Sequence, residues 1–350
     1  MAVTIKDIAR EAGVSKSTVS AAMNDSPKVK NETKERIKKV AERLGYVPHI
    51  GARELITNKK LNLGIMNLIT YQADGDIKNS YFNQAYEPTY YDMASVIMTE
   101  ISKTKYGLLI ERIQIGQGEL SLPSFLTSGR VAGVFVVGTM HTRDYIMRLK
   151  EYTDNVVVVG GNKSDICDCV RNDYTQAIYT AVRYLIDNGH KSIAFVNGDT
   201  LSQASDDKLL GYKLAMADAN LPIDSNLVVN ARFTGRAGYD AVRKIFESSK
   251  KAPTAVCFSA DVMAVGAMRY FYENGIRVPD DVSIIGFEDT CLAEFSNPQL
   301  TTIDRNKRRL GLEACRLMLS KLENPKRGFQ DIVVPFSLVI RGSVKDLTSK

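Results

Sequence analysis

Near its N-terminus the chain carries the run Thr4-Ile5-Lys6-Asp7-Ile8-Ala9-Arg10-Glu11-Ala12-Gly13-Val14-Ser15-Lys16-Ser17-Thr18-Val19-Ser20. This run predicts two short helices around a tight turn. Thr4 is suited to cap the first helix together with Asp7 three residues later, and Gly13 ends that helix. Ser15 follows almost at once and predicts the start of a second helix, because serine is a preferred N-cap residue.

Apolar residues recur at helical spacing through this region and into a third helix, which is predicted over residues 32–44. The residues that share the inner faces are Ile8, Ala9, Ala12, Val19, Ala22, Met23, Ile37, Val40, Ala41 and Leu44. We expect them to close a small three-helix core. Two helices joined by so short a turn are typical of the helix-turn-helix, whose second helix enters the DNA major groove.

The excess positive charge of the chain is concentrated in the same segment. Residues 1–60 hold 13 Lys and Arg against 7 Asp and Glu, whereas residues 61–350 hold 33 of each. A basic helical face is either a nucleic-acid contact or simply a solvated surface. The turn spacing, the caps and the charge asymmetry together favour DNA binding.

The same run, continued by Asn24, by Thr33-x-x-x-Ile37 and by Leu44-Gly45-Tyr46-x-Pro48, resembles the DNA-binding headpiece of the lac repressor/gal repressor family. The resemblance implies a headpiece over residues 1–47. It implies base contacts in the major groove from Lys16, Ser17 and Ala21. The residues expected to hold phosphates or helix ends are Thr4, Ser15, Thr18, Ser20 and Asn24. Ala21 stands where many relatives carry arginine, so the family's usual operator is not assumed.

Residues 48–60 lie where the family carries a hinge helix that forms on operator DNA. The resemblance implies that Leu55 enters the minor groove as a wedge, with Ala52 and Arg53 beside it. Gly51 departs from the family pattern. Because glycine costs ~1 kcal/mol in a helix interior relative to alanine, a hinge helix here is expected to be less helical without DNA. A plain flexible linker is the other interpretation.

From residue 61 onward, runs typical of buried strands alternate with helical stretches. Strands are predicted over residues 61–69, 107–113, 131–138, 156–159, 192–196, 227–229, 255–258 and 282–285, and helices over 93–102, 175–188, 208–219, 235–247 and 262–274. Alternation of this length predicts an α/β fold, with parallel sheets that carry helices on both faces and are divided between two lobes.

This body also resembles the lac repressor/gal repressor family, in which it has the fold of type I periplasmic binding proteins. The motifs that carry the resemblance are Leu185-Ile186-x-x-Gly189-His190-Lys191-x-Ile193-Ala194-Phe195, Gly211-Tyr212, Asp261-x-Met263-Ala264-x-Gly266-Ala267, Val278-Pro279-Asp280-Asp281-Val282-Ser283-Ile284-Ile285-Gly286-Phe287 and Leu300-Thr301-Thr302-Ile303. The resemblance implies an effector-binding and dimerisation domain over residues 61–341. One lobe would span about 61–160 plus 291–325, and the other about 161–290 plus 326–341.

The family binds a small effector, usually a sugar, sugar phosphate or purine, between the lobes. An arginine and an aspartate of the family pattern are replaced here by Lys208 and Glu288. Lysine keeps the charge but lacks the planar two-pronged geometry, and glutamate reaches one methylene further. Asp173 and Asp261 match polar positions of the cleft, while Ala260 stands where an asparagine often contacts the ligand. The other interpretation of each charged residue is a surface charge or a salt bridge between the lobes.

An aromatic-rich segment, Tyr81-Phe82-Asn83-Gln84-Ala85-Tyr86 with Tyr90-Tyr91, lies in the part of the body that matches the family least. At the mouth of a cleft, Tyr81 and Phe82 would stack on the face of a sugar. The segment would otherwise line a dimer interface or cover the lobe.

Composition and motifs argue against several other classes of protein. No window approaches eighteen apolar residues, and the N-terminus lacks a signal pattern, so we expect a cytoplasmic protein without a membrane partner. Five scattered cysteines and three separated histidines predict reduced thiols and no metal site. Gly116-Gln117-Gly118 lacks the third glycine of a dinucleotide loop, and neither a Walker loop nor a nucleophile elbow occurs. No catalytic residue and no cofactor are therefore expected.

These observations predict a repressor of carbohydrate-utilisation genes that binds a roughly palindromic double-stranded operator and is controlled by a sugar or sugar phosphate. We expect a homodimer, because no leucine heptads follow the body to form a tetramer coil. The alternative within the class is a global carbon regulator whose signal is a phosphorylated partner protein. Outside the class, an exported solute-binding protein and, more remotely, an enzyme are the other possibilities.

Overall fold

The computed structural model describes residues 3–23, 26–46, 60–70, 88–115, 121–248 and 251–348, with the backbone alone for 68–70, 88, 114 and 115. The chain divides into two compact units, Met1–Leu61 and Asn62–Lys350. In the described residues the small unit is helical and the large unit is α/β, which confirms the fold class predicted from the sequence.

The small unit contains helices α1 (Ile5–Glu11), α2 (Lys16–Met23) and α3 (Asn31–Arg43). Ile8, Val19 and Ile37, one from each helix, are fully buried between them. Every residue that the sequence places on an inner face belongs to this core or packs against it. Removing these apolar side chains from water is therefore what holds the three short helices together.

The large unit contains twenty-one described helices and strands. In chain order they are β1 (Asn62–Thr70), α4 (Pro88–Ser102), β2 (Gly107–Ile115), α5 (Ser124–Thr127), β3 (Gly133–Val137), α6 (Arg143–Lys150), β4 (Val156–Val159), β5 (Asp168–Arg171), α7 (Tyr174–Asp187), β6 (Ile193–Asn197), α8 (Gln203–Asp218), β7 (Val228–Asn230), α9 (Gly235–Ser248), β8 (Ala255–Phe258), α10 (Asp261–Glu273), β9 (Ser283–Ile285), α11 (Cys291–Phe295), β10 (Thr302–Asp304), α12 (Lys307–Glu323), β11 (Asp331–Val333) and β12 (Ser337–Val339). A short 3₁₀ turn, Ser225–Leu227, precedes β7.

The first lobe is built on a six-stranded parallel sheet in the order β11-β5-β4-β3-β1-β2. Side chains alternate between its two faces, as a pleated strand requires. On β3, Phe135 and Val137 enter a core with α4 and α12, whereas Val134 and Val136 enter a core with α5 and α6. The central strands β3 and β4 are thus buried on both sides, which is why they are wholly apolar.

The second lobe repeats this arrangement around a four-stranded parallel sheet in the order β7-β6-β8-β9. Helices α7 and α8 pack on one face and α9 and α10 on the other. The last two helices approach so closely that a Cβ atom at Gly266 would lie 1.8 Å from the carbonyl oxygen of Gly235. The two-lobed parallel architecture predicted from the sequence is confirmed.

The predicted lobe boundaries are wrong at two places. Strands β5 and β11 pair with each other and with β4 in the first sheet, although residues 161–290 and 326–341 were assigned to the second lobe. Ala293 and Leu300 belong to the core of the second lobe, although residues 291–325 were assigned to the first. The chain adds β5 to the first sheet before it enters the second lobe, and it later returns to add β11. The crossovers between the lobes therefore lie near residues 172, 305 and 334.

Most other differences concern short elements. The strands β5, β10, β11 and β12 have three or four residues each and mix polar with apolar residues, so they form no apolar run like those of β4 and β8. Helix α12 is a different case, because Leu310, Ala314 and Leu317 are buried at helical spacing, yet no helix was predicted there. Helices α4 and α8 begin five residues before their predicted starts.

Candidate nucleic-acid interface and ligand cavity

The first helix of the small unit is capped as the sequence predicts. The backbone N–H of Thr4 donates to the Asp7 carboxylate at 2.9 Å, and the Thr4 hydroxyl donates to the same oxygen at 2.7 Å. These bonds lower the pKa of Asp7. Gly13 follows the helix with φ of +62°, a left-handed conformation that glycine adopts without strain. The tight turn before α2 is therefore fixed by these local contacts.

Ser15 begins α2 by accepting a hydrogen bond from the backbone N–H of Thr18 at 3.1 Å. Its hydroxyl also lies 2.7 Å from the Ser17 hydroxyl and 2.8 Å from the Thr18 hydroxyl. Lys16 and Ser17 are exposed on the first turn of the helix. The N-terminal turn of α2 thus presents one basic side chain and a cluster of hydroxyl groups to solvent.

The remaining residues expected to contact DNA fall into two groups. Ser20 and Ala21 are half-buried on α2, one turn beyond the exposed start of the helix. Asn24 and the hinge residues Ala52, Arg53 and Leu55 lie outside the described residues.

A cavity of about 70 Å³ lies between the two lobes of the large unit. The first lobe supplies polar side chains from Asn67, Thr89 and Thr139, and the second lobe supplies Lys208 and Glu288. The cavity is also lined by Arg305, on a crossover between the lobes, and by the rings of Tyr90, Tyr174 and Phe233. Tyr81 and Phe82 lie outside the described residues.

Lys208 is the predicted effector residue that lies deepest in this wall. It is 4% exposed, and its Nζ atom donates to the Ser259 carbonyl oxygen at 2.8 Å. The Nζ atom also lies 4.2 Å from the ring centroid of Phe287 and 5.4 Å from those of Tyr174 and Phe233. Burial lowers the pKa of Lys208 to about 7, although the Glu288 charge opposes this shift.

Arg305 connects the cavity to the crossovers. Its Nε atom donates to Asn172 Oδ1 at 3.1 Å, and one of its terminal nitrogens, Nη2, donates to the Tyr174 hydroxyl at 2.6 Å and to the Gly160 carbonyl at 3.3 Å. The Asn172 amide in turn donates to the carbonyl oxygens of Arg305 and Val334 at 3.0 and 2.9 Å. One buried asparagine therefore ties all three crossovers together, and the arginine beside it reaches the ligand cavity.

Glu288 faces Arg305 across the cavity, with its carboxylate 3.7 Å from the other terminal nitrogen, Nη1. Its backbone has φ of +115°, a conformation that residues with a side chain rarely adopt. The backbone N–H of Glu288 donates to the Ile303 carbonyl oxygen, and the Nζ atom of Lys307 donates to the carbonyl oxygens of Glu288 and Asp289. These bonds hold the loop. This clamp keeps the Glu288 carboxylate at the cavity wall.

The other two predicted effector residues do not line the cavity. Asp261 is fully buried, and its carboxylate accepts hydrogen bonds from the Thr302 hydroxyl at 2.6 Å and from the backbone and hydroxyl of Thr290. Burial raises the pKa of Asp261 to about 7, against these bonds. Asp173 caps α7 by accepting a bond from the backbone N–H of Gln176 at 2.9 Å. Both carboxylates are thus engaged in holding neighbouring backbone.

Among the described residues, further side-chain hydrogen bonds join the lobes beside the cavity. The Ser202 hydroxyl donates to the Thr139 hydroxyl at 2.7 Å, and the Asn162 amide donates to Asp207 at 3.3 Å. Between these bonds and the crossovers, the Thr89 hydroxyl is buried at the cavity wall and has no hydrogen-bond partner among the described residues. Such a group is costly to bury and is ready to bond a ligand.

Arg305, Asn172 and Tyr174 were not predicted from the sequence. Tyr174 directly follows the predicted residue Asp173. Because the Asp173 carboxylate caps α7, Tyr174 lines the cavity and Asp173 does not. Arg305 follows directly after β10 and carries no local motif. In the described parts of the chain no helix is long and apolar enough to cross a membrane.

Comparisons with known proteins agree on both units. A family model described as bacterial regulatory proteins, lacI family, matches residues 4–49, and one described as a periplasmic binding protein-like domain matches residues 182–344. Catabolite control protein A of Priestia megaterium is 33% identical over 350 residues, which cover 99% of this chain and 100% of that protein. The HTH-type transcriptional repressor PurR of Vibrio parahaemolyticus is 32% identical over 352 residues, with coverage of 98% and 99%.

Among solved structures, the lac repressor dimer bound to operator and the anti-inducer ONPF superposes with a TM-score of 0.80. The alignment covers 99% of this chain and 100% of that one at 21% sequence identity. At this identity the likeness concerns the fold.

Proposed function

The chain belongs to the LacI family of bacterial regulatory proteins, and from this we propose that it represses carbohydrate-utilisation genes under the control of a sugar-like effector bound in the cavity. It is a DNA-binding transcriptional repressor regulated by an effector, not an enzyme. A repressor acts where the DNA is, so we also propose a cytoplasmic location.

For the DNA half of the function, Lys16, Ser17 and Ala21 are the proposed base contacts of α2. The exposure of Lys16 and Ser17 on the first turn supports this role, because that turn of a recognition helix meets the base edges. The proposed contacts to phosphates and helix ends are Thr4, Ser15, Thr18, Ser20 and Asn24. Two copies of the chain would present two such helices to a palindromic operator, with Ala52, Arg53 and Leu55 in the proposed hinge.

For the effector half, the observation that carries the proposal is the cavity that both lobes line with polar side chains. Lys208 and Glu288 occupy its second-lobe wall, as the family pattern implied, and Asn67, Thr89 and Thr139 supply groups that bond hydroxyls from the first lobe. A ligand that touches both lobes changes their relative stability in the open and closed arrangements, which is the differential binding that regulation requires.

The operator is found first, by selection from random DNA with the full-length protein. We expect a palindromic consensus that the protein binds as a dimer. A consensus without two-fold symmetry would contradict dimeric binding by two equivalent helices.

The effector is then sought by thermal scans of the same protein against sugars, sugar phosphates, nucleosides and amino acids. A compound at a hundredfold excess over its dissociation constant adds ~2.7 kcal/mol of stability if it binds only the folded state. The compound that shifts the melt is then tested for a change in operator affinity. A shift from nucleosides alone would contradict control of carbohydrate genes.

The 33% identity to catabolite control protein A favours a second candidate, in which a phosphorylated partner protein supplies the signal. In that case no compound of the panel would change operator affinity. A cell extract would raise operator affinity instead, and phosphatase treatment of that extract would abolish the gain.

A further inference from the structure

We propose that the effector is a small polyol acid, whose carboxylate or phosphate binds between Lys208 and Arg305. This inference rests on the proposed function, because it names the class of ligand for the same cavity. It is drawn from the charges and unused hydrogen-bond donors of the wall.

The charges that line the cavity do not balance. Among the described lining residues, Arg305 and, when it is protonated, Lys208 are cationic, and Glu288 is the one carboxylate. Both cations are 4% exposed, so water screens them poorly. An anion placed between them would compensate the excess positive charge, whereas a neutral sugar would leave it uncompensated.

The donors of the two cations are only partly used. Of the three N–H groups of Lys208, one is donated to the Ser259 carbonyl, and Nζ forms no other hydrogen bond to a described residue. Arg305 uses Nε and Nη2, but Nη1 forms no hydrogen bond to a described residue, since Glu288 lies 3.7 Å away. Carboxylate and phosphate oxygens are the acceptors that suit such donors.

Arg305 is also held in place before any ligand arrives. Its bonds to Asn172, Gly160 and Tyr174 fix the plane of the guanidinium group. A fixed arginine loses little conformational entropy when it binds an anion, which favours affinity. Because Asn172 joins the three crossovers, an anion on Arg305 would act directly on the segments that connect the lobes.

The rest of the wall suits the polyol part of the ligand. The unpartnered Thr89 hydroxyl and the Glu288 carboxylate are positioned to bond hydroxyl groups from opposite lobes. The volume of about 70 Å³ holds about five waters at ~10–15 Å³ each, which suits a single sugar unit better than an oligosaccharide.

The test compares matched ligands on the full-length protein by thermal shift and calorimetric titration. The probes are glucose and galactose, their uronates and gluconate, and glucose 6-phosphate and fructose 6-phosphate. We expect an acid to bind at least about tenfold more tightly than its neutral parent. Comparison of the uronates with the sugar phosphates shows whether the site prefers a carboxylate or a phosphate.

The possible failures are distinct. If a neutral sugar binds more tightly than its acids, the anionic class is wrong while the proposed sugar-controlled function stands. If no probe binds, both this inference and the small-molecule half of the proposed function are overturned.

Two variants of one residue test the role of Lys208. Lys208→Met should weaken binding of the acid by about tenfold or more, whereas Lys208→Arg, which keeps the charge, should retain it. If Lys208→Arg still binds the acid, the cavity tolerates a substitution at this position. Unchanged acid binding by a folded Lys208→Met protein would overturn the proposal.

The pH dependence of acid binding is a further test of Lys208, because a variant that only loses packing would not change it. An anion binds the protonated form of Lys208. The dissociation constant of the acid should therefore rise by up to about tenfold per pH unit above pH 7. In Lys208→Arg the dissociation constant should not change with pH over this range. The other ionisable groups whose charges act on Lys208 are Glu288, Arg305, Cys257 and Asp261. They are common to both proteins, so only the difference between the two profiles is assigned to Lys208. Equal slopes would contradict the assignment.

Discussion

Two lysines mark the two functional regions of this repressor, and their surroundings are opposite. Lys16 is exposed on the first turn of α2, whereas Lys208 is 4% exposed among three aromatic rings. An exposed charge is screened by dissolved ions, while a buried charge is screened little but changes its protonation easily. DNA binding is therefore expected to respond to salt, and the cavity to pH.

The largest effect expected from this contrast is the salt dependence of operator binding. If the dimer neutralises about six to ten phosphates, operator affinity should fall ~10³- to 10⁵-fold between about 50 and about 200 mM NaCl. Fluorescence anisotropy with a labelled operator measures it. Acid binding in the cavity should change far less over the same range, because Lys208 and Arg305 are buried. Equal salt slopes for the two ligands would remove the contrast.

A second prediction concerns the stability of the large unit. Folding lowers the pKa of Lys208 from its ordinary 10.5 to about 7, so this residue opposes folding most strongly below pH 7, and the opposition fades as the pH rises toward 10.5. We therefore expect Lys208→Met to stabilise the protein more at pH 6 than at pH 9, by ~2–3 kcal/mol. Urea unfolding followed by circular dichroism at both pH values measures the difference.

The matched control for that experiment is Lys213→Met, because Lys213 lies exposed on the same helix α8. Its effect on the free energy of unfolding should be the same at both pH values. A pH-dependent effect at Lys213 equal to that at Lys208 would show that burial is not the cause.

A third prediction sharpens the DNA side of the contrast. Ala21→Arg should add a preference for guanine at one position of each half-site, worth ~1–3 kcal/mol. Selection from random DNA measures it. Glu35→Arg, an added charge on the exposed face of α3, should raise affinity for all sequences without changing the preference. An unchanged consensus for Ala21→Arg would contradict the placement of α2 in the major groove.

The smallest expected effect concerns the cap that starts α2. Ser15→Ala removes the acceptor for the Thr18 backbone N–H and should cost ~1 kcal/mol of stability in the small unit. Ser15→Asn keeps an acceptor and should retain most of that stability. Hydrogen exchange of the α2 amides compares the two variants. Equal exchange in both would show that the cap contributes little.

The small unit was predictable because its signals are local. Thr4, Gly13 and Ser15 act on residues within three positions of themselves, so spacing alone places the helix starts and the turn. The alternating strands of the large unit were predictable for the same reason. Apolar runs of four or more residues are visible in sequence, whereas three-residue strands such as β11 are defined by their neighbours.

The cavity was predictable only in part, because its chemistry comes from residues far apart in the chain. Lys208 and Glu288 were found through the family pattern, but Arg305 gains its role from Asn172, 133 positions earlier. Asp261 is the converse case. The family pattern implied a cleft position, yet its carboxylate accepts hydrogen bonds from Thr290 and Thr302, which sequence alone does not place beside it.

The left-handed backbone at Glu288 also has a consequence for how this protein changes over generations. Such a conformation costs of order 1–3 kcal/mol for a residue with a side chain, and glycine would adopt it without strain. Mutation to glycine would remove this backbone cost, but it would also delete the carboxylate that lies beside the buried cations Lys208 and Arg305. The two effects on stability oppose each other. We therefore expect glycine to replace Glu288 only in a lineage in which one of these cations has changed as well.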